Sequence, residues 1–140
     1  MKKKYFIITV DTEGDNVWSC VPKKNQLLVP ETKNAVYLQR FQQLCEAYQF
    51  YPTYLVDYEM AKSSEFVRLG KDIIKRNKGE IGMHMHAFST PPFYGLPDLR
   101  GRGLAFAGEY PSKILYQKME YMTKTLQDTF QVEISSHRGG

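Results

Sequence analysis

Four short β-rich segments alternate with three segments of helical periodicity, and every β segment runs into a polar or charged group. Tyr5–Val10 is apolar on both faces, the pattern of a strand covered on both sides, as in a parallel sheet. Pro52–Val56, Glu80–Met85 and Val132–Ser136 read as the other strands. Between the first two, Glu31–Tyr48 repeats Val36, Leu38, Phe41, Leu44, Cys45 and Tyr48 at helical spacing, with Thr32 placed to cap the start. Ser63-Ser64 caps a second helix that runs to about Asn77. Its apolar face is Phe66, Val67, Leu69, Ile73 and Ile74, and Gly79 is its expected terminator. Pro111 opens a third helix at its first turn, where a missing N–H costs nothing. The buried stripe there is Ile114, Leu115, Met119, Met122, Leu126 and Phe130. The order βαβαβαβ calls for right-handed crossovers and predicts an α/β fold built on parallel strands, as an open sheet or a barrel.

In such architectures chemistry gathers at the C-terminal ends of the strands. All four ends here carry candidate groups: Asp11 and Glu13, Asp57, His84 and His86, and His137 with Arg138. Unpaired charges do not stay buried in a core, so four such ends together point to a site. Successive side chains on a strand point to opposite faces, so His84 and His86 share one face, as do Asp11 and Glu13. Two imidazoles at one strand end are most simply explained by a metal ion. Two histidines and one carboxylate would leave open positions for hydrolytic chemistry, and the second carboxylate could act as a base. Asp11 is assigned as base and Glu13 as ligand, with the reverse assignment open. Arg138 is placed to pair with Asp11. It alternates out of phase with His137, so only one of the two should face the site. Asp57 reads as structural, closing the turn after its strand.

Length and composition bound the alternatives. The chain has 140 residues, enough for a single modest domain, and 42% hydrophobic residues, enough for a core. Its formal charge of +4 comes largely from Lys2-Lys3-Lys4 and the Lys71–Lys78 region. No basic stripe is interleaved with rings in the manner of a nucleic-acid-binding module, so nucleic acid is not an expected partner. Cys20 and Cys45 form no CxxC pair and read as free thiols of a reducing, cytoplasmic compartment. The apolar run after the N-terminal lysines is cut off by Asp11, too early for a signal peptide. No segment approaches the ~20 apolar residues of a membrane span.

The motifs resemble those of the polysaccharide deacetylases of the NodB-homology type (carbohydrate esterase family 4), in the right order along the entire chain. Ile8-Thr9-Val10-Asp11-Thr12-Glu13-Gly14 is similar to the family's first motif, more usually T-F-D-D-G. Pro52-Thr53-Tyr54-Leu55-Val56 is similar to its second strand. Glu80-Ile81-Gly82-Met83-His84 matches E-I-G-x-H, and Arg138-Gly139 resembles the opening of R-P-P-Y-G. The H-x-H variant with Pro91-Pro92 following it looks closest to a subgroup linked to O-antigen biosynthesis. The resemblance implies a distorted (β/α) barrel, a divalent metal that is usually zinc, and removal of N-acetyl groups from a carbohydrate. On that pattern Asp11 is the base, Glu13, His84 and His86 are ligands, and Arg138 tethers the base. Three departures stand out. Thr12 occupies the place of the usual second aspartate, so the carboxylate ligand must be Glu13. Phe88 stands where the family has its second histidine, so His86 must substitute. The family's fourth and fifth motifs, including the histidine that protonates the leaving amine, would lie beyond residue 140.

Residues 1–140 are therefore read as one partial NodB-like domain, the N-terminal portion of a barrel. Open strand edges suggest a possible homo-oligomer. Two other readings remain: a non-catalytic sugar-binding homologue, and an H-x-H metallohydrolase of amidohydrolase type. The latter usually carries H-x-H on the first strand, whereas here it lies on the third.

Overall fold

The computed structural model describes residues 3–22, 30–98 and 103–140. Strands β1 (Thr9–Thr12), β2 (Thr53–Val56), β3 (Glu80–Met85) and β4 (His137–Gly139) alternate with helices α1 (Ala35–Ala47), α2 (Ser64–Lys75) and α3 (Ser112–Phe130). The strands pair in the order β1-β2-β3-β4, all parallel. The expected α/β alternation with parallel strands is what the chain adopts. Flat, three inter-strand steps of about 4.8 Å would separate β1 from β4 by about 14 Å. Yet Arg138 on β4 donates hydrogen bonds to Asp11 and Thr9 on β1, the latter at 2.7 Å. One side chain cannot bridge a flat sheet of that width, so the sheet curls into a half-barrel.

The helices cover its convex face. Tyr54, Val56, Ile81, Met83 and Met85 point outward from the sheet into a core with Phe66 and Ile73 of α2 and Met122, Leu126 and Phe130 of α3. Each large apolar side chain buried there contributes about 1.5–3 kcal/mol. The opposite, concave face carries Thr9, Asp11, Leu55, Gly82, His84 and Arg138, because partners across a parallel ladder share a face. Gly82 is the gap that makes this face work. A Cβ there would lie 2.7 Å from Leu55 Cδ2 and would collide with the Ser136 hydroxyl.

Several expected details change. β1 starts at Thr9, and Tyr5, Phe6 and Ile7 are largely exposed rather than covered on both sides. β1 is an edge strand whose neighbour starts only at Thr53, so among the described residues no strand extends back to pair that run, and the Phe6 ring meets that of Phe50 at a tilt. The fourth strand lies at His137–Gly139, not Val132–Ser136. Val132 and Ile134 do pack on the core, so their alternation reports burial without a ladder, and pairing begins where Ser136 accepts the Met83 N–H.

Helix α1 is shorter than expected, and Thr32 makes no side-chain cap. Instead the Asp15 carboxylate accepts the N–H groups of Lys33 and Asn34 from the preceding loop. Its buried face includes Gln42, while Val36, Leu44 and Tyr48 are exposed. Gln42 tolerates burial because it accepts from the Tyr54 hydroxyl and donates to Glu46 and to the Lys78 carbonyl. At the end of α2 the left-handed residue is Asn77 (φ 53°), not Gly79; the Lys78 N–H then closes back on the Ile73 carbonyl. Ser63 stands at the start of α2 without a side-chain capping bond. Among the described residues no helix is long and apolar enough to cross a membrane.

Candidate metal centre

β1 and β3 deliver the site. Glu13 follows the last residue of β1, His84 lies within β3, and His86 follows it. Both imidazoles are almost fully buried, and the Glu13 side chain is 28% exposed. One carboxylate oxygen, Glu13 Oε2, lies 2.7 Å from His86 Nε2 and 3.1 Å from His84 Nε2. The three ligand atoms sit within 4.8 Å of one another, so Glu13, His84 and His86 could hold a metal ion. The imidazole pair read from the H-x-H spacing therefore converges on a carboxylate of the first strand.

Hydrogen bonding tests the fit. His84 Nδ1 faces the Arg138 carbonyl at 3.2 Å. A carbonyl only accepts, so Nδ1 carries a proton, and in the neutral tautomer Nε2 would present a lone pair toward Glu13. A lone pair opposite a carboxylate oxygen at 3.1 Å is repulsive unless a cation or a proton lies between them. Orientation of a ligand ring by a backbone carbonyl on its far nitrogen is the usual support at metal sites. His86 lacks that support: its Nδ1 is buried with no partner. The Gly140 backbone packs against that edge, where a Cβ would strike the ring. Burial holds the His86 pKa below its ordinary range, although its hydrogen bond to Glu13 opposes the shift. A neutral, lone-pair-bearing imidazole is the form a metal requires. The donor set fits a divalent ion.

Asp11 stands apart from this triad. Its Oδ1 accepts from Arg138, whose other terminal nitrogen donates to Thr9. Asp11 and Arg138 are both partly exposed, at 40% and 44% of their side chains, and so border open space. Arg138, rather than His137, reaches across the concave face to the carboxylate. Asp57 is structural, as its position suggests. One oxygen accepts the Gly14 N–H at 2.9 Å and the other the Met60 N–H at 2.7 Å, which pins the turn just after Glu13. Burial and the neighbouring Glu59 push the Asp57 pKa up to about 8, and burial likewise raises that of Glu59.

Aromatic rings that strand-end reasoning did not mark complete the site. Trp18, in a single 3-10 turn over Val17–Cys20, meets His86 edge-on with ring centres 4.9 Å apart, and Phe88 lies 5.5 Å from the same ring. Phe88 belongs with Val17, Val21 and Ala105 to a second small apolar cluster that roofs this side of the centre. The chain's single tryptophan, placed five residues after Glu13, was the signal available for this wall. Compared with known proteins, the chain matches no family model, no curated protein and no solved structure.

Proposed function

We propose that the chain is a metal-dependent hydrolase that removes N-acetyl groups from a carbohydrate, with zinc as its metal. The observation that carries this reading is the approach of both Nε2 atoms of the H-x-H pair to one Glu13 oxygen, with a separately held carboxylate, Asp11, on the same face of β1. The motif order of the deacetylase family adds the substrate class. A divalent ion held by Glu13, His84 and His86 would supply Lewis acidity toward an acetamide carbonyl and a water that loses its proton near neutral pH.

The chain's own residues divide the remaining work. Asp11 accepts the proton of the attacking water, and Arg138 fixes the carboxylate by engaging Oδ1. The His84 Nδ1–H contact with the Arg138 carbonyl ties the ligand set to the same strand that holds the base. Trp18 and Phe88 shield the His86 edge from solvent. Free Cys20 and Cys45 agree with a reducing, cytoplasmic setting for surface-glycan biosynthesis.

The test combines metal analysis with acetate release from an N-acetylglucosamine oligosaccharide. About one zinc per chain and measurable acetate are expected, with both lost in Glu13→Ala and His84→Ala. Metal content unchanged in both variants would overturn the centre. Zinc retained by Glu13→Ala alone would move the ligand role to Asp11. Bound zinc without acetate release would favour a sugar-binding homologue.

A further inference from the structure

Residues from the 88–98 and 103–110 stretches, with Lys118 of α3, line a cavity of about 660 Å³ that is not part of the metal triad. Its walls include Phe88, Phe93, Tyr94, Leu96 and Tyr110, and Lys118 of α3 also lines it. Lys118 continues the buried stripe of α3, one turn before Met122, and is 1% exposed. Its Nζ donates to the Thr90 carbonyl at 2.6 Å and the Pro92 carbonyl at 2.7 Å. It lies 5.3 Å from the Phe93 ring centre and 5.4 Å from that of Tyr110, so the charge sits between two rings of the cavity wall. An ammonium group has three hydrogens, and the two carbonyls take two of them. Burial lowers its pKa to about 8. The lining carboxylate, Asp98, already accepts the Gly103 N–H at 2.7 Å.

A buried cation with an unspent donor, set among apolar rings, is an incomplete electrostatic arrangement. We propose that this cavity is a second ligand site, for a small organic anion with a flat apolar body and one carboxylate, the carboxylate seated on Lys118. The proposal does not depend on the metal centre, although the Phe88 wall stands between the two sites.

Calorimetric titration of the full chain with 2-naphthoate, beside its neutral counterpart 2-naphthylmethanol, tests it. At pH 7 the acid should bind at least about tenfold more tightly than the alcohol, as a charge-assisted bond implies. That preference should be lost in Lys118→Met and should fade as the pH rises above about 8. Leu96→Trp, which fills the cavity and leaves the lysine in place, should abolish binding of both compounds. Excess chelator should change nothing, because the triad is not involved. Equal affinities for acid and alcohol, binding that survives Leu96→Trp, or binding lost to chelator would each overturn the proposal. Because Lys118 also anchors Thr90 and Pro92, Lys118→Met could fail to fold; the alcohol comparison and Leu96→Trp then decide.

Discussion

The division of labour between Asp11 and Glu13 rests on what each carboxylate touches. Glu13 Oε2 faces two imidazole nitrogens, whereas Asp11 is engaged by a guanidinium and borders open space. Asp11→Asn should therefore keep the zinc content of the parent and lower acetate release about 10²–10⁴-fold, the usual contribution of a general base. Loss of zinc in that variant would exchange the two roles. These residues were legible in the sequence because alternation on a strand is a local rule: once Glu80–Met85 is a strand, His84 and His86 must share a face. Buried polar residues were not legible. Gln42 and Lys118 sit in the core only because partners arrive from residues 36 and 28 positions away, and no local pattern reports those partners. Trp18 was missed for a similar reason, since its neighbour His86 lies on a different element.

Element boundaries follow the neighbours more than the segments themselves. Tyr5–Ile7 has strand composition and no strand beside it, while His137–Gly139 has little strand character and a partner in Met83–Met85. Alternation predicted burial correctly for Val132 and Ile134 but could not say which residues would form the ladder. Close approach of helices supplies the clearest prediction at this scale. A Cβ on Gly70 of α2 would lie 2.6 Å from Phe130 Cε1 of α3. Gly70→Ala should gain helix propensity yet destabilise the fold overall by about 1–3 kcal/mol through overpacking, measured by urea unfolding. In a Phe130→Leu background the same substitution should become neutral or stabilising by up to about 1 kcal/mol. An equal penalty in both backgrounds would show that the ring is not the obstacle.

For the molecule as a whole, the buried Asp57–Glu59 pair sets a pH dependence. Both carboxyls titrate above their ordinary range, chiefly because burial disfavours the anion. The folded state thus holds protons that the unfolded chain releases near pH 4, so this contribution is full below that point and is lost as pH rises through the folded-state values. Metal-free protein should lose this part of its stability between about pH 4 and 8, and Asp57→Asn should flatten the decline. A lowered His86 acts in the opposite sense, stabilising less as pH falls below its unfolded value, which is why the difference between parent and variant is the informative quantity. The half-barrel also leaves Tyr5, Phe6 and Ile7 exposed beside an edge strand. Self-association through that edge should appear as concentration-dependent sedimentation, and Phe6→Lys should suppress it. A concentration-independent monomer would rule it out.

The clasp between Arg138 and Asp11 joins positions 127 apart in the chain. The three candidate ligand atoms come from residues between positions 13 and 86, whereas Asp11 is held only when β4 is in place, so on the proposed reading capture of a cation would need less of the fold than seating of the base.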